Sequence, residues 1–143
     1  MAQVSTYLNF PGTAEAAFQH YKEIFGGEFT AFARMGDAPP MEGYPPLSDD
    51  QKKRVMHVCL PVFGHNLMAS DVPTTAPEFI VGTNIYVSLH LDSEVQVNTL
   101  FAALSAGGKV EHAPALMFWG DYWGVCADKF GIQWMLTFAA PKS

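Results

Sequence analysis

The order of elements in this chain runs twice. Leu8 and Leu89 stand 81 residues apart, each inside a stretch that alternates apolar and polar side chains. Gly26-Gly27 and Gly107-Gly108 stand at the same spacing, each closing a stretch of helical periodicity. A chain that repeats a unit of this size must bury the same set of apolar faces twice, which restricts it to paired modules of similar build. In the first copy, residues 4–10 alternate, with Val4, Thr6, Leu8 and Phe10 on one face and Ser5, Tyr7 and Asn9 on the other. That pattern predicts a strand buried on one side. Pro11-Gly12-Thr13 breaks it, and Thr13 is the expected N-cap of a helix carrying Ala14, Ala17, Phe18, Tyr21 and Phe25 at helical spacing. Residues 28–35 read as a second strand. Residues 36–53, holding Pro39, Pro40, Pro45 and Pro46, read as a long loop of the kind that serves as a lid or binding segment. Residues 55–61 alternate again, and Phe63-Gly64-His65-Asn66 turns them back into a strand over 67–70.

The second copy follows a connector. Residues 84–91 alternate, with Val87, Leu89 and Leu91 opposite Tyr86, Ser88 and His90. Asp92-Ser93 then caps a helix whose stripe is Val97, Leu100, Phe101 and Leu104. Residues 110–116, 122–127 and 132–138 supply three more strands. The two helices agree in order but not residue by residue. The sequence therefore predicts an α+β fold of two tandem βαβββ modules in one domain over 1–143. Module one covers about 1–72, the connector about 73–83 and module two about 84–139.

Composition narrows the function classes. Eight Lys and Arg against fourteen Asp and Glu give a formal charge of −6, with no basic stripe for neutralising phosphates, so no nucleic-acid partner is expected. An apolar content of 49% with only 15% charged residues excludes a disordered chain. No apolar run approaches the length of a membrane span, and the chain opens without the basic region and apolar core of a secretory leader. Cys59 and Cys126 form no CxxC pair, and a reducing cytoplasmic setting is expected.

Several stretches resemble one known family. Tyr7-Leu8-Asn9-Phe10, Gly12, Ala14-Glu15-Ala16, Phe18, Tyr21 and Phe25-Gly26-Gly27-Glu28 look like its opening. His57 and Leu67-Met68-Ala69-Ser70-Asp71 resemble its central hairpin. Phe118-Trp119-Gly120-Asp121, Gly124, Asp128, Phe130-Gly131 and Trp134 resemble its closing motif, the most specific part. By these residues the chain is similar, over nearly its whole length, to the PhnB-like branch of the vicinal oxygen chelate superfamily. That superfamily includes glyoxalase I, bleomycin-resistance proteins and extradiol dioxygenases. Some PhnB-like members carry the label 3-demethylubiquinone 3-methyltransferase, but both Gly-Gly pairs here end helices and nothing looks like a glycine-rich nucleotide loop after a strand. The resemblance implies a curled mixed sheet in each module, the two together making a cup, and a homodimer. It does not fix the chemistry.

In metal-dependent relatives, His and Glu side chains on the first and last strands of the modules hold a divalent ion in the cup. Strand parity carries those positions to Ser5, to Met68 or Ser70 and to Tyr86, and the resemblance of residues 128–135 to the glyoxalase ending puts Met135 where its Glu stands. None is a good ligand for a hard or borderline divalent ion, so neither a metal nor another cofactor is expected. The leading expectation is metal-independent binding of a small apolar or aromatic molecule. The cup would be lined by Tyr7, His57, Met68, Ser70, Tyr86, Ser88 and Met135, with Phe118, Trp119 and the proline-rich segment as cover.

The alternative is a lyase or dioxygenase of glyoxalase type. Its metal would be relocated onto His57, His90 and an acid drawn from Glu28, Asp71 and Glu111. No H-x-H or HExxH spacing supports it. His57 reads first as a partly buried histidine bonded to a neighbouring strand or a loop carbonyl, since lone histidines rarely ligate. Cys59 beside it on the same strand face is either a thiol–imidazole pair or an inert buried cysteine. Phe118, Trp119, Tyr122 and Trp123 read either as rings over the cup mouth or as core and contact residues. His20 and His65 read as surface residues, and Glu111-His112 as the end of a strand.

Overall fold

The computed structural model describes residues 2–39, 42–73 and 78–139. The chain divides into two compact units, Met1–Phe79 and Ile80–Ser143. The first contains β1 (Thr6–Phe10), α1 (Ala14–Phe25), β2 (Ala31–Arg34), a 3₁₀ turn (Met35–Asp37), α2 (Asp49–Lys53), β3 (Val55–Val62) and β4 (His65–Asp71). The second contains β5 (Val87–His90), α3 (Glu94–Ser105), β6 (Lys109–Leu116), β7 (Asp121–Ala127) and β8 (Gln133–Ala139). The sheets run β1-β4-β3-β2 and β5-β8-β7-β6. In each, the first strand pairs parallel with the last and the remaining pairs are antiparallel. Strand order and strand direction therefore repeat along with the sequence landmarks, and the tandem βαβββ reading holds.

In the first unit, Phe10, Val58, Leu60, Val62, Leu67 and Ala69 are buried on the sheet, and Ala14, Ala17, Phe18 and Tyr21 are buried on α1. Phe18 meets Phe10 and Tyr21 edge to face, at centroid distances of 6.4 and 5.4 Å. Each such side chain contributes about 1.5–3 kcal/mol by leaving water, and this layer holds the helix to the sheet. In the second unit Val97, Leu100, Phe101 and Leu104 of α3 are buried with Leu89, Cys126, Trp134 and Leu136 of the sheet.

Buried carboxylates close both modules. Asp71 ends β4, one residue past the span 67–70 that alternation predicts for this strand. Its Oδ1 accepts from the backbone N–H of Gly12 and Ala14 at 3.1 and 2.9 Å, and its Oδ2 from that of Val55 at 2.8 Å. Thr13 makes no side-chain capping bond. The start of α1 is instead satisfied from another strand, a partner that local sequence could not show. Asp128 takes Phe130 N–H and Ile132 N–H on Oδ1 and the Trp134 indole N–H on Oδ2, at 2.9, 3.0 and 2.8 Å. These bonds fix the turn into β8.

The proline-rich segment is not wholly irregular. Ser48 caps α2 by accepting from Gln51 N–H, while the Gln51 side chain accepts from Ser48 N–H. The Ser48-x-x-Gln51 capping box was present in the sequence and was masked there by the prolines before it. Pro40 and Met41 lie outside the described residues, as do residues 74–77 of the connector. Phe63-Gly64 alone makes the hairpin turn, both residues at positive φ (50° and 77°), so Val62 pairs with His65.

Candidate functional site

Each sheet has a face turned away from its helix, and the registers show what stands on it. On the first sheet Tyr7 pairs with Met68, Met68 with Cys59, and Cys59 with Ala31. Asn9 pairs with Ser70, and Ala33 with His57. Tyr7, His57, Met68 and Ser70, all expected from sequence, thus share one face. The Tyr7 hydroxyl lies 3.1 Å from His57 Nδ1, and the two rings stack at 5.7 Å with 25° between their planes. Tyr7 is 47% exposed. This is a flat, half-wetted aromatic platform whose polar edge is already bonded within itself. The Ser70 hydroxyl donates to Asn9 Oδ1 at 3.4 Å. Cys59 lies in the same row but is buried.

On the second sheet one row reads Ser88–Met135–Val125–His112, and the next reads His90–Thr137–Trp123–Ala115. Tyr86, with the parity of Ser88, donates from its hydroxyl to Glu111 Oε2 at 2.6 Å. Losing that proton would bring two negative oxygens together, so the Tyr86 pKa is raised, first by this hydrogen bond and then by burial and the Glu111 charge. His112 donates from Nδ1 to the Ala113 carbonyl at 2.8 Å, which fixes its tautomer, and its ring lies 5.1 Å from that of Trp123. Trp123 meets Trp119 edge to face at 5.7 Å, and Trp119 meets Phe118 at 5.0 Å. Phe118 and Trp119 occupy the turn between β6 and β7, with Phe118 96% exposed.

Three expectations need correction here. Tyr122 does not join the other rings: its hydroxyl donates to Asn98 Oδ1 on α3, on the opposite side of the sheet. Glu111 and His112 do not end a strand but lie within β6, where register shifts on either side of His112 hide their facing from simple alternation. His20 is not a surface residue but half-buried, its ring 6.2 Å from that of Tyr21. His65 is exposed as expected and lies 3.2 Å from Thr6 Oγ1.

Among the described residues no three His, Cys, Asp or Glu side chains group to hold an ion. The acids the alternative would need are otherwise engaged. Asp71 is committed to backbone N–H groups, Glu28 pairs with Lys22 at 3.0 Å, and Glu111 accepts from Tyr86. His90 Nε2 lies 3.5 Å from Ser88 Oγ. Cys59 and Cys126 are both buried, and the Cys126 thiol is pushed up to about 12, by desolvation first and then by Asp128 and Glu111. Among the described residues no helix is long and apolar enough to cross a membrane.

Comparisons with known proteins place this geometry. Residues 2–137 match the family model described as 3-demethylubiquinone-9 3-methyltransferase. Protein YjdN of Escherichia coli (strain K12) is 28% identical over 94% of this chain and 93% of its own. The crystal structure of protein PA1353 from Pseudomonas aeruginosa is 32% identical with a TM-score of 0.85, covering 97% of this chain and 98% of that one. The PhnB protein from Bacillus cereus has a TM-score of 0.77 at 23% identity, over 96% and 100% of the two chains. At 15% identity, where fold alone is comparable, a glyoxalase/bleomycin resistance/dioxygenase family enzyme from Burkholderia phytofirmans PsJN has a TM-score of 0.58 over 94% and 98%.

Proposed function

The chain belongs to the 3-demethylubiquinone-9 3-methyltransferase family, the PhnB-like branch of the glyoxalase/bleomycin resistance/dioxygenase superfamily, and from that membership we propose that it binds a small, neutral, apolar or aromatic molecule without a metal ion. The carrying observation is the make-up of the two faces turned from the helices. Tyr7 stacked on His57, with Met68 beside it, offers a ring-sized apolar surface on the first sheet. Met135, Trp123 and Ser88 offer one on the second. Thioethers and rings adapt to flat apolar ligands, and the hydroxyls of Tyr7, Ser70, Ser88 and Tyr86 supply orientation rather than charge. A ligand covered in part by Phe118 and Trp119, in a cytoplasmic homodimer acting on one small molecule, completes the reading.

A methyltransferase activity, named by the family's description, draws no support from local geometry. The link from β1 to α1 holds a single glycine, Gly12, and the link from β5 to α3 holds none, so neither strand-to-helix turn resembles a glycine-rich nucleotide-binding loop. A relocated-metal lyase or dioxygenase draws no support from the donor set of the described residues.

The test is a titration of 2-naphthol, a neutral planar probe, followed by tryptophan fluorescence in wild type, His57→Ala and Met135→Glu, with and without EDTA. Saturable binding that EDTA leaves unchanged and that each substitution weakens severalfold supports the proposal. Binding that requires a divalent ion, or that neither substitution alters, refutes it.

A further inference from the structure

A second site lies in the proline-rich segment of the first unit. Met35, Tyr44, Pro45, Pro46, Leu47, Gln51, Arg54 and Pro73 enclose a cavity of about 140 Å³, and none of Tyr7, His57, Met68 or Ser70 lines it. We propose that this cavity binds a small monocarboxylate bearing one apolar ring, with Arg54 as its counter-ion. Size is the first guide, because a cavity of about 150 Å³ holds a benzene ring. The walls are the second: six of the lining residues are apolar, three of them prolines whose backbone gives up little entropy when a ligand docks. Tyr44 and Leu47 are 70% and 42% exposed, so the rim is reachable from water.

The charge comes from Arg54. Among the described residues no carboxylate lies within salt-bridge distance of it, whereas the other guanidinium of this unit, Arg34, grips Glu15 with both terminal nitrogens at 3.0 and 2.6 Å. One hydrogen bond of the Arg54 guanidinium is described, from Nη1 to the Val72 carbonyl at 3.2 Å, beside Pro73 of the cavity wall. A guanidinium carries five N–H donors, so most of this one's capacity is open. The guanidinium packs against Gly12, where a Cβ would meet Nη2 at 3.3 Å, so a larger residue there would crowd it. A planar fork beside an apolar cavity matches a carboxylate bidentately. A phosphate ester would bring a second charge, and among the described residues no second cation lines the cavity.

Benzoate and its neutral isostere benzamide, titrated by NMR into the full chain, test this. Benzoate is expected to bind with a dissociation constant of about 1 mM or tighter, and benzamide about tenfold more weakly. Arg54→Gln should weaken benzoate to the level of benzamide. Should Arg54→Gln fail to fold, Leu47→Asp at the exposed rim sets a like charge against the ligand and should also abolish benzoate binding. Equal binding of the two probes, no benzoate binding, or indifference to the substitution that folds would each overturn the proposal. His57→Ala should leave benzoate binding unchanged, which separates this site from the sheet-face site.

Discussion

Replacing Asp71 removes an acceptor from three backbone donors at once, and the cost can be worked from the structure. The residue is 2% exposed, and its two oxygens serve Gly12, Ala14 and Val55, which lie at the start of α1 and at the start of β3. A hydrogen bond to a charged group is worth about 1.5–3 kcal/mol net, and an orphaned buried N–H costs a comparable amount. The three bonds share one carboxylate, so their values do not add. Asp71→Ala should therefore destabilise the protein by about 3–5 kcal/mol, a large share of a typical 5–15 kcal/mol total. Asp71→Asn keeps Oδ1 for Gly12 and Ala14 but turns an NH₂ toward Val55 N–H, so about 1–3 kcal/mol should be lost. Urea denaturation followed by circular dichroism, extrapolated linearly, gives both values. If both variants fall within about 1 kcal/mol of wild type, the carboxylate does not organise this module and would again be available as a ligand.

Trp134→Phe, which leaves Asp128 Oδ2 without the indole N–H in a buried site, should cost about 1–3 kcal/mol in the same urea assay. Cys126, with its thiol pushed up to about 12, and buried Cys59 should both resist Ellman's reagent at pH 8 in the native protein and titrate as two thiols in guanidinium. Glu15 is held below its ordinary carboxyl pKa by its hydrogen bond to Arg34, so the pair's contribution is complete above that ordinary value. It is lost as pH falls through the lower folded value. Glu15→Gln should therefore be slightly less stable than wild type at neutral pH and match it in strong acid, a small difference because both side chains are partly exposed.

Much of the fold was legible because it rests on local periodicity. The alternation over residues 4–10 and 84–91, the stripes of α1 and α3 and the Gly-Gly terminators each name their own element, and the repeat joined them. What escaped was non-local or irregular. Thr13 looked like the cap of α1, but the acceptor arrives from Asp71, 57 residues away from the Ala14 it serves. Register shifts in β6 broke the parity that would have put His112 on a face with Ser88 and Met135. At the site, parity placed Tyr7, His57, Met68 and Ser70 together, since alternate residues of a strand share a side. The stacking of Tyr7 on His57 and the bond from Tyr86 to Glu111 depend on rotamers and on neighbouring strands, which no spacing rule specifies.

Metal-free binding of a neutral molecule is tested most directly by native mass spectrometry of untagged protein purified without chelator. The expected spectrum carries an organic adduct and no stoichiometric divalent ion. One divalent ion per chain, lost in His57→Ala or His90→Ala, would contradict it.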